Sequence, residues 1–137
     1  MILLDTQALV WLIEGNPRLG VKARAIVERE RAGDGALIAA ISMWETAMLV
    51  DKGKLSLSRD VRGWFEEILT EPGFTLTDIT VGIGVDAGSL PGDIHGDPAD
   101  RLIIATARAR GCPLLTADRK ILDYAAAGHV GVIDARR

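Results

Sequence analysis

The chain has almost no cysteine. Cys112 is the only one among 137 residues, which excludes an internal disulfide and any multi-thiolate metal site. It precedes Pro113 at the head of an apolar run and reads as a buried structural thiol rather than a nucleophile. No apolar run approaches the roughly 20 residues that a bilayer span requires, so no membrane segment is predicted. The N-terminus lacks the basic leader of a signal peptide, and Asp5 and Glu14 interrupt its apolar stretch. The chain is therefore expected in the cytoplasm. Excess positive charge is missing as well. A net charge of −3 argues against free, nonspecific nucleic-acid binding, although acids gathered at one site account for much of that deficit. There is no internal repeat, low-complexity tract or linker. The 48% hydrophobic content predicts one compact domain spanning residues 1–137.

What the chain does have is a particular placement of acids. Asp5 closes the apolar run Met1-Ile2-Leu3-Leu4. Glu45 lies just past the run from Ala36 to Ile41. Asp100 stands at the head of a helical stretch ending at Arg110, and Asp118 follows Pro113-Leu114-Leu115-Thr116-Ala117. Residues 2–5, 36–40, 74–78, 113–116 and 130–133 read as strands. Helices are predicted at 6–14, 17–31, 42–53, 58–70, 80–90 and 97–110, with a last one opened by Asp118. Strands alternating with helices imply a parallel sheet covered on both faces. In such a sheet, residues just past the carboxyl ends of the strands line a common crevice where ligands bind. Four carboxylates in one crevice repel one another unless a cation sits among them. Hard oxygen donors describe a magnesium or manganese site, and so point to metal-assisted chemistry on phosphate esters.

Taken singly, each acid has an ordinary use. Asp5 and Asp118 suit helix caps, and Glu45 suits a capping box closed with Ser42. Asp97 before Pro98 suits an N-cap followed by proline at the first helical position. Asp100 then falls in a first turn, where the helix dipole favours negative charge. Capping, however, demands no particular strand, whereas these acids follow strands that would be neighbours in one sheet.

Other signals are weaker. Gly82-Ile83-Gly84-Val85-Asp86-Ala87 matches a dinucleotide fingerprint, but it falls in the third βα unit and the turn into it has no glycine. A thin helix packed against another backbone is the expected reading. His95, in a Gly/Asp-rich loop beside the acids, is either a solvated loop residue or a substrate contact, and His129 is expected to be structural. Arg101 and Arg119 each follow a candidate ligand and could grip phosphates flanking a scissile bond. Arg108 and Arg110 read as exposed helix-face charges. Trp11, Trp44 and Trp64 are expected to be mostly core, with Trp11 and Trp44 also interface candidates.

Several blocks together resemble a known family. They are Leu3-Leu4-Asp5-Thr6-Gln7-Ala8-Leu9 followed by Trp11, then Ser42 to Glu45, then Gly96-Asp97-Pro98-Ala99-Asp100-Arg101-Leu102-Ile103-Ile104-Ala105, then Leu115-Thr116-Ala117-Asp118-Arg119-Lys120. In this order and spacing the chain resembles PIN-domain ribonucleases, and among them the VapC-type toxins of bacterial type II toxin–antitoxin modules. The resemblance implies a three-layer α/β/α sandwich around a parallel, five-stranded sheet. It implies a Mg²⁺-dependent endoribonuclease, a homodimer, and a cognate VapB-type antitoxin whose tail covers the active site. The family's acidic quartet falls on Asp5, Glu45, Asp100 and Asp118, as catalytic and metal-binding residues. Asp97 matches a further acid near that site, and Thr116 a hydroxyl beside the last acid; Thr6 joins them as a supporting candidate. The glycine-rich stretch 82–88 departs from the family's more ordinary helix.

The expected chemistry is hydrolysis of an RNA phosphodiester by a metal-activated water, with Mg²⁺ or Mn²⁺ held by the quartet. Three other readings compete. A phosphatase with an aspartate nucleophile needs an acid two residues after Asp5, where Gln7 stands. A receiver-like signalling module needs paired acids after the first strand, but Thr6 and Gln7 follow Asp5; Asp78 could serve as its phosphoacceptor, but no suitable strand-terminal lysine follows. A noncatalytic RNA-binding PIN-like domain is opposed by the complete quartet.

Overall fold

The computed structural model describes residues 1–94 and 96–137. Its elements run β1 (Ile2–Leu4), α1 (Thr6–Ile13), α2 (Val21–Ala32), β2 (Ala36–Ala39), α3 (Ala40–Asp51), α4 (Val61–Thr70), β3 (Phe74–Thr77), α5 (Val81–Gly88), α6 (Pro98–Arg110), β4 (Leu114–Thr116), α7 (Arg119–Ala125) and β5 (Val132–Asp134). The five strands form one parallel sheet in the order β3-β2-β1-β4-β5.

The three central strands β2, β1 and β4 are buried on both faces, as parallel sheets require, while the edge strands β3 and β5 are only partly covered. Successive strand residues alternate between two cores. Ile2, Leu4, Ala36, Ile38 and Leu115 point to one, where α1, α2 and α4 contribute Leu9, Val27 and Trp64. Leu3, Leu37 and Leu114 point to the other, beneath Ile83 of α5, Ile104 of α6 and Ile121 of α7. The result is the three-layer sandwich expected. Because β2 and β3 extend the sheet on one side of β1 while β4 and β5 extend it on the other, the strand order reverses between β1 and β4. That reversal leaves a crevice at the carboxyl ends of these two strands.

Several local expectations are not met, and β5 runs Val132–Asp134 rather than 130–133. The second helix begins at Val21 rather than 17, because Gly20 is tied to the C-terminal segment. Its N–H donates to Ala135 O (2.8 Å), and a Cβ there would stand 1.8 Å from Arg137 O. Helix α3 leaves β2 without a break, with Ala39 as N-cap and no side-chain cap, so the capping box at Ser42 does not form. Helix α4 is capped by Asp60, whose carboxylate accepts from Gly63 N–H (2.9 Å). Ser58, the expected cap, instead donates from its N–H and hydroxyl to Glu14 (2.6 and 2.9 Å). Finally, the glycines of α5 do not meet another backbone. A Cβ on Gly84 would find only Ile79 Cγ2 at 3.9 Å, and one on Gly88 would find nothing.

Trp11 and Trp64 are core residues, but Trp44 is 56% exposed. Arg108 is not a loose surface charge. It pairs with Asp86 across α5 and α6 (2.8 Å) and donates to His129 O (2.7 Å). Cys112 is buried, and burial pushes its thiol pKa up, as suits an inert core thiol. No described helix is long and apolar enough to cross a membrane.

Candidate active site

The first acid is placed by the end of β1. Asp5 N–H donates to Leu115 O of the neighbouring strand (3.0 Å), and the chain then turns into α1. Asp5 caps that helix, accepting from Ala8 N–H (2.9 Å), so the capping reading was correct without being the whole role. Its second oxygen accepts a short hydrogen bond from the Thr116 hydroxyl. That hydroxyl in turn accepts from Asp118 N–H (3.1 Å). Thr116 is fully buried at the end of β4, so one hydroxyl joins the acids following β1 and β4.

Glu45 comes from α3, one and a half turns past β2. The failed capping box leaves its carboxylate free to face the crevice. Ser42, fully buried one turn earlier, instead accepts from the Thr6 hydroxyl (2.9 Å). Asp100 lies in the first turn of α6, and its N–H is capped by Asp97 (3.1 Å). Asp118 caps α7 by accepting from Lys120 N–H (2.8 Å).

One cavity of about 360 Å³ is lined by Asp5, Glu45, Asp100 and Asp118 together. Their proximity shows in their proton affinities. Burial, aided by the charges of Glu45 and Asp118, pushes Asp5 up to about 6 against the hydrogen bonds of Thr116 and Ala8. Burial and the charges of Asp97, Asp118, Glu45 and Asp5 push Asp100 up to about 7. Glu45 is raised for the same reasons, with the Thr6 hydroxyl opposing. Such mutual elevation marks carboxylates held together against their repulsion.

Glu45, Asp97 and Asp100 each offer an oxygen within 4.8 Å of the others. An all-oxygen donor set of this kind is the chemistry that a hard divalent cation takes. Asp97 thus belongs to the cluster as well as capping α6, which its Asp-Pro context alone did not reveal.

The two predicted phosphate grips are not drawn into this cavity. Arg101 turns its guanidinium to Ala87 O (2.8 Å) and Ile94 O (3.4 Å), clamping the segment between α5 and α6. Arg119 is exposed on α7 and absent from the cavity wall. Asp78, the acceptor position of a receiver-like reading, is exposed and also outside it. His95 lies outside the described residues. Missed by sequence reasoning were Gln7, Arg18 and Arg136, which complete the cavity wall. No motif marks them, and Arg18 and Arg136 line one cavity only because the C-terminal segment returns beside the turn before α2.

Comparison with known proteins agrees with this geometry. A family model described as PIN domain matches residues 2–127. The chain is 33% identical over 123 residues to Ribonuclease VapC22 of Mycobacterium tuberculosis (strain ATCC 25618 / H37Rv), covering 90% of this chain and 91% of that protein. Among solved structures it is similar to VapBC2 from Rickettsia felis bound to a promoter DNA fragment, with a TM-score of 0.71 at 20% identity over 97% of this chain and 98% of that one. It is also similar to FitAcB from Neisseria gonorrhoeae, with a TM-score of 0.66 at 20% identity over 98% of each chain. At that identity the structural matches show the fold.

Proposed function

The chain belongs to the PIN-domain family, in its VapC branch, and from that premise we propose that it is a divalent-metal-dependent endoribonuclease, the toxin of a VapBC-type module. The observation that carries the reading is the single cavity lined by Asp5, Glu45, Asp100 and Asp118 at the carboxyl ends of the strands, with Asp97 beside Glu45 and Asp100. The ribonuclease relative supplies the substrate class.

Glu45, Asp97 and Asp100 would hold Mg²⁺, or Mn²⁺ in its place, with Asp5 and Asp118 completing the charge around it. Once bound, the ion supplies positive charge to the scissile phosphate and acidifies nearby water. Thr116 keeps the Asp5 carboxylate in one orientation and ties it to the backbone of Asp118. A carboxylate of Glu45 or Asp118 takes the proton of the attacking water as its oxygen bonds to phosphorus. The phosphorus–oxygen bond to the leaving nucleotide then breaks, and that oxygen is protonated.

Cleavage of structured RNAs by the purified chain tests this. Discrete cuts are expected with Mg²⁺ or Mn²⁺, lost on chelation and reduced at least 100-fold in Asp100→Asn. Cutting that survives both treatments would remove the assignment. The same membership supports a VapB-type antitoxin as partner, a homodimer and a cytoplasmic setting. Light scattering that gave a monomer mass for the free chain would remove the dimer.

A further inference from the structure

The cavity that holds the acids is also lined by residues of opposite character. Arg18 and Arg136 line it together with Trp11, Leu49 and Leu55. Arg136 is held in place from three sides. Its guanidinium donates to Ala117 O (2.5 Å), its carbon lies 5.8 Å from the centre of the Trp11 ring, and its N–H is fixed by Asp134 (2.9 Å). Because Ala117 immediately precedes Asp118, this cation is anchored next to the acid cluster. Only one of its five guanidinium N–H donors is engaged among the described residues. Arg18 has its backbone fixed by Asn16 (2.9 Å), while its guanidinium has no hydrogen-bond or ion-pair partner among the described residues.

Two guanidinium groups with donors to spare and no carboxylate partner among the described residues suit an oxyanion that accepts bidentately, as a phosphate does. Resting on the nuclease reading, we propose that Arg18 and Arg136 grip a backbone phosphate adjacent to the scissile one, with Leu49 and Leu55 receiving the apolar parts of the intervening nucleotide. A single RNA strand then crosses the cavity, one phosphate on the carboxylate wall and the next on the arginine wall. The volume of about 360 Å³ is of the size that takes a small ligand. This moves phosphate recognition from Arg101 and Arg119, which adjoin the acids in sequence, to two residues that adjoin them only in space.

Steady-state cleavage of a short single-stranded RNA by the full chain, at several salt concentrations, separates the outcomes. Arg18→Gln and Arg136→Gln should each raise KM about five- to tenfold with kcat within about twofold, and flatten the salt dependence by roughly one phosphate's worth. Arg136→Lys should recover part of the loss, and Arg62→Gln, exposed on α4, should change nothing. Thermal unfolding checks that Arg136→Gln folds, and Arg18→Gln, on an exposed turn, carries the test if it does not. Unchanged KM and salt slope in both variants would overturn the grip and leave the nuclease standing. Variants that keep RNA kinetics but lose capture by a VapB-type antitoxin would overturn it too, giving the wall to the protein partner. A wild-type chain that neither cuts nor binds the RNA would sink the nuclease reading and the grip with it.

Discussion

Thr116 shows how much one hydroxyl can set. It is fully buried, donates to Asp5 and accepts from Asp118 N–H, so it fixes one carboxylate and the backbone that carries another. Thr116→Val keeps the shape but leaves Asp5 with the Ala8 N–H as its one remaining donor among the described residues and should raise the Asp5 pKa beyond about 6. A hydrogen bond to a charged group contributes about 1.5–3 kcal/mol. Metal-dependent cleavage is therefore expected to fall roughly tenfold or more, and Thr116→Ser should restore most of it. Equal activity of the Val and Ser variants would show that the hydroxyl is dispensable. At this scale, capping and membership of the acid cluster could not be separated by reading the chain. Asp5, Asp97 and Asp118 all accept from helix N–H groups, and all three lie at the acid cluster. A helix N-terminus welcomes negative charge, so caps are an inexpensive way to place carboxylates around a cation.

Among the elements, α5 is the one whose sequence and role are least matched. It carries Gly82, Gly84 and Gly88 in eight residues, with Val81 and Val85 exposed at 86% and 66%. Only Ile83 and Ala87 reach the core. Glycine within a helix costs about 0.5–1 kcal/mol relative to alanine. The space beside Gly84 is open apart from one ordinary methyl contact. Gly84→Ala should therefore stabilise the chain by about that amount in chemical denaturation, with the slope unchanged. A loss of stability would mean that α5 makes a contact in solution beyond those of the single chain. Helix α6 is the opposite case. Asp97 caps its start, Pro98 follows, and Gly111 ends it in the left-handed region at φ 63°. Every local signal agrees there, and its predicted limits were right to within a residue.

At the scale of the whole molecule, the acid cluster is a stability liability with a pH signature. Asp5 and Asp100 have folded pKa values of about 6 and about 7, above the roughly 3.9 of an unfolded aspartate. Between about pH 4 and pH 7 the folded chain retains protons that the unfolded chain has released. Metal-free stability should therefore fall as pH rises through that window and level off above it. Asp100→Asn removes one repelling charge and should raise the metal-free melting temperature at pH 8 by about 5 °C, since each kcal/mol is worth a few degrees at this size. Mg²⁺ should raise the wild-type midpoint at pH 8, do little at pH 5, and act weakly on the variant. A midpoint insensitive to both pH and metal would contradict the cluster. The alternation of strand and helix, the two-faced burial of the sheet and the strand-end positions of Asp5, Glu45 and Asp118 were all readable along the chain. Each depends on local periodicity and on a residue's distance from its own strand. The strand order, the crevice between β1 and β4, the seating of Asp97 beside Glu45 and the turning away of Arg101 depend on which segments meet. So does the placing of Arg18 and Arg136 on one cavity, more than a hundred positions apart in the chain, because proximity of that span is set by packing two cores against one sheet.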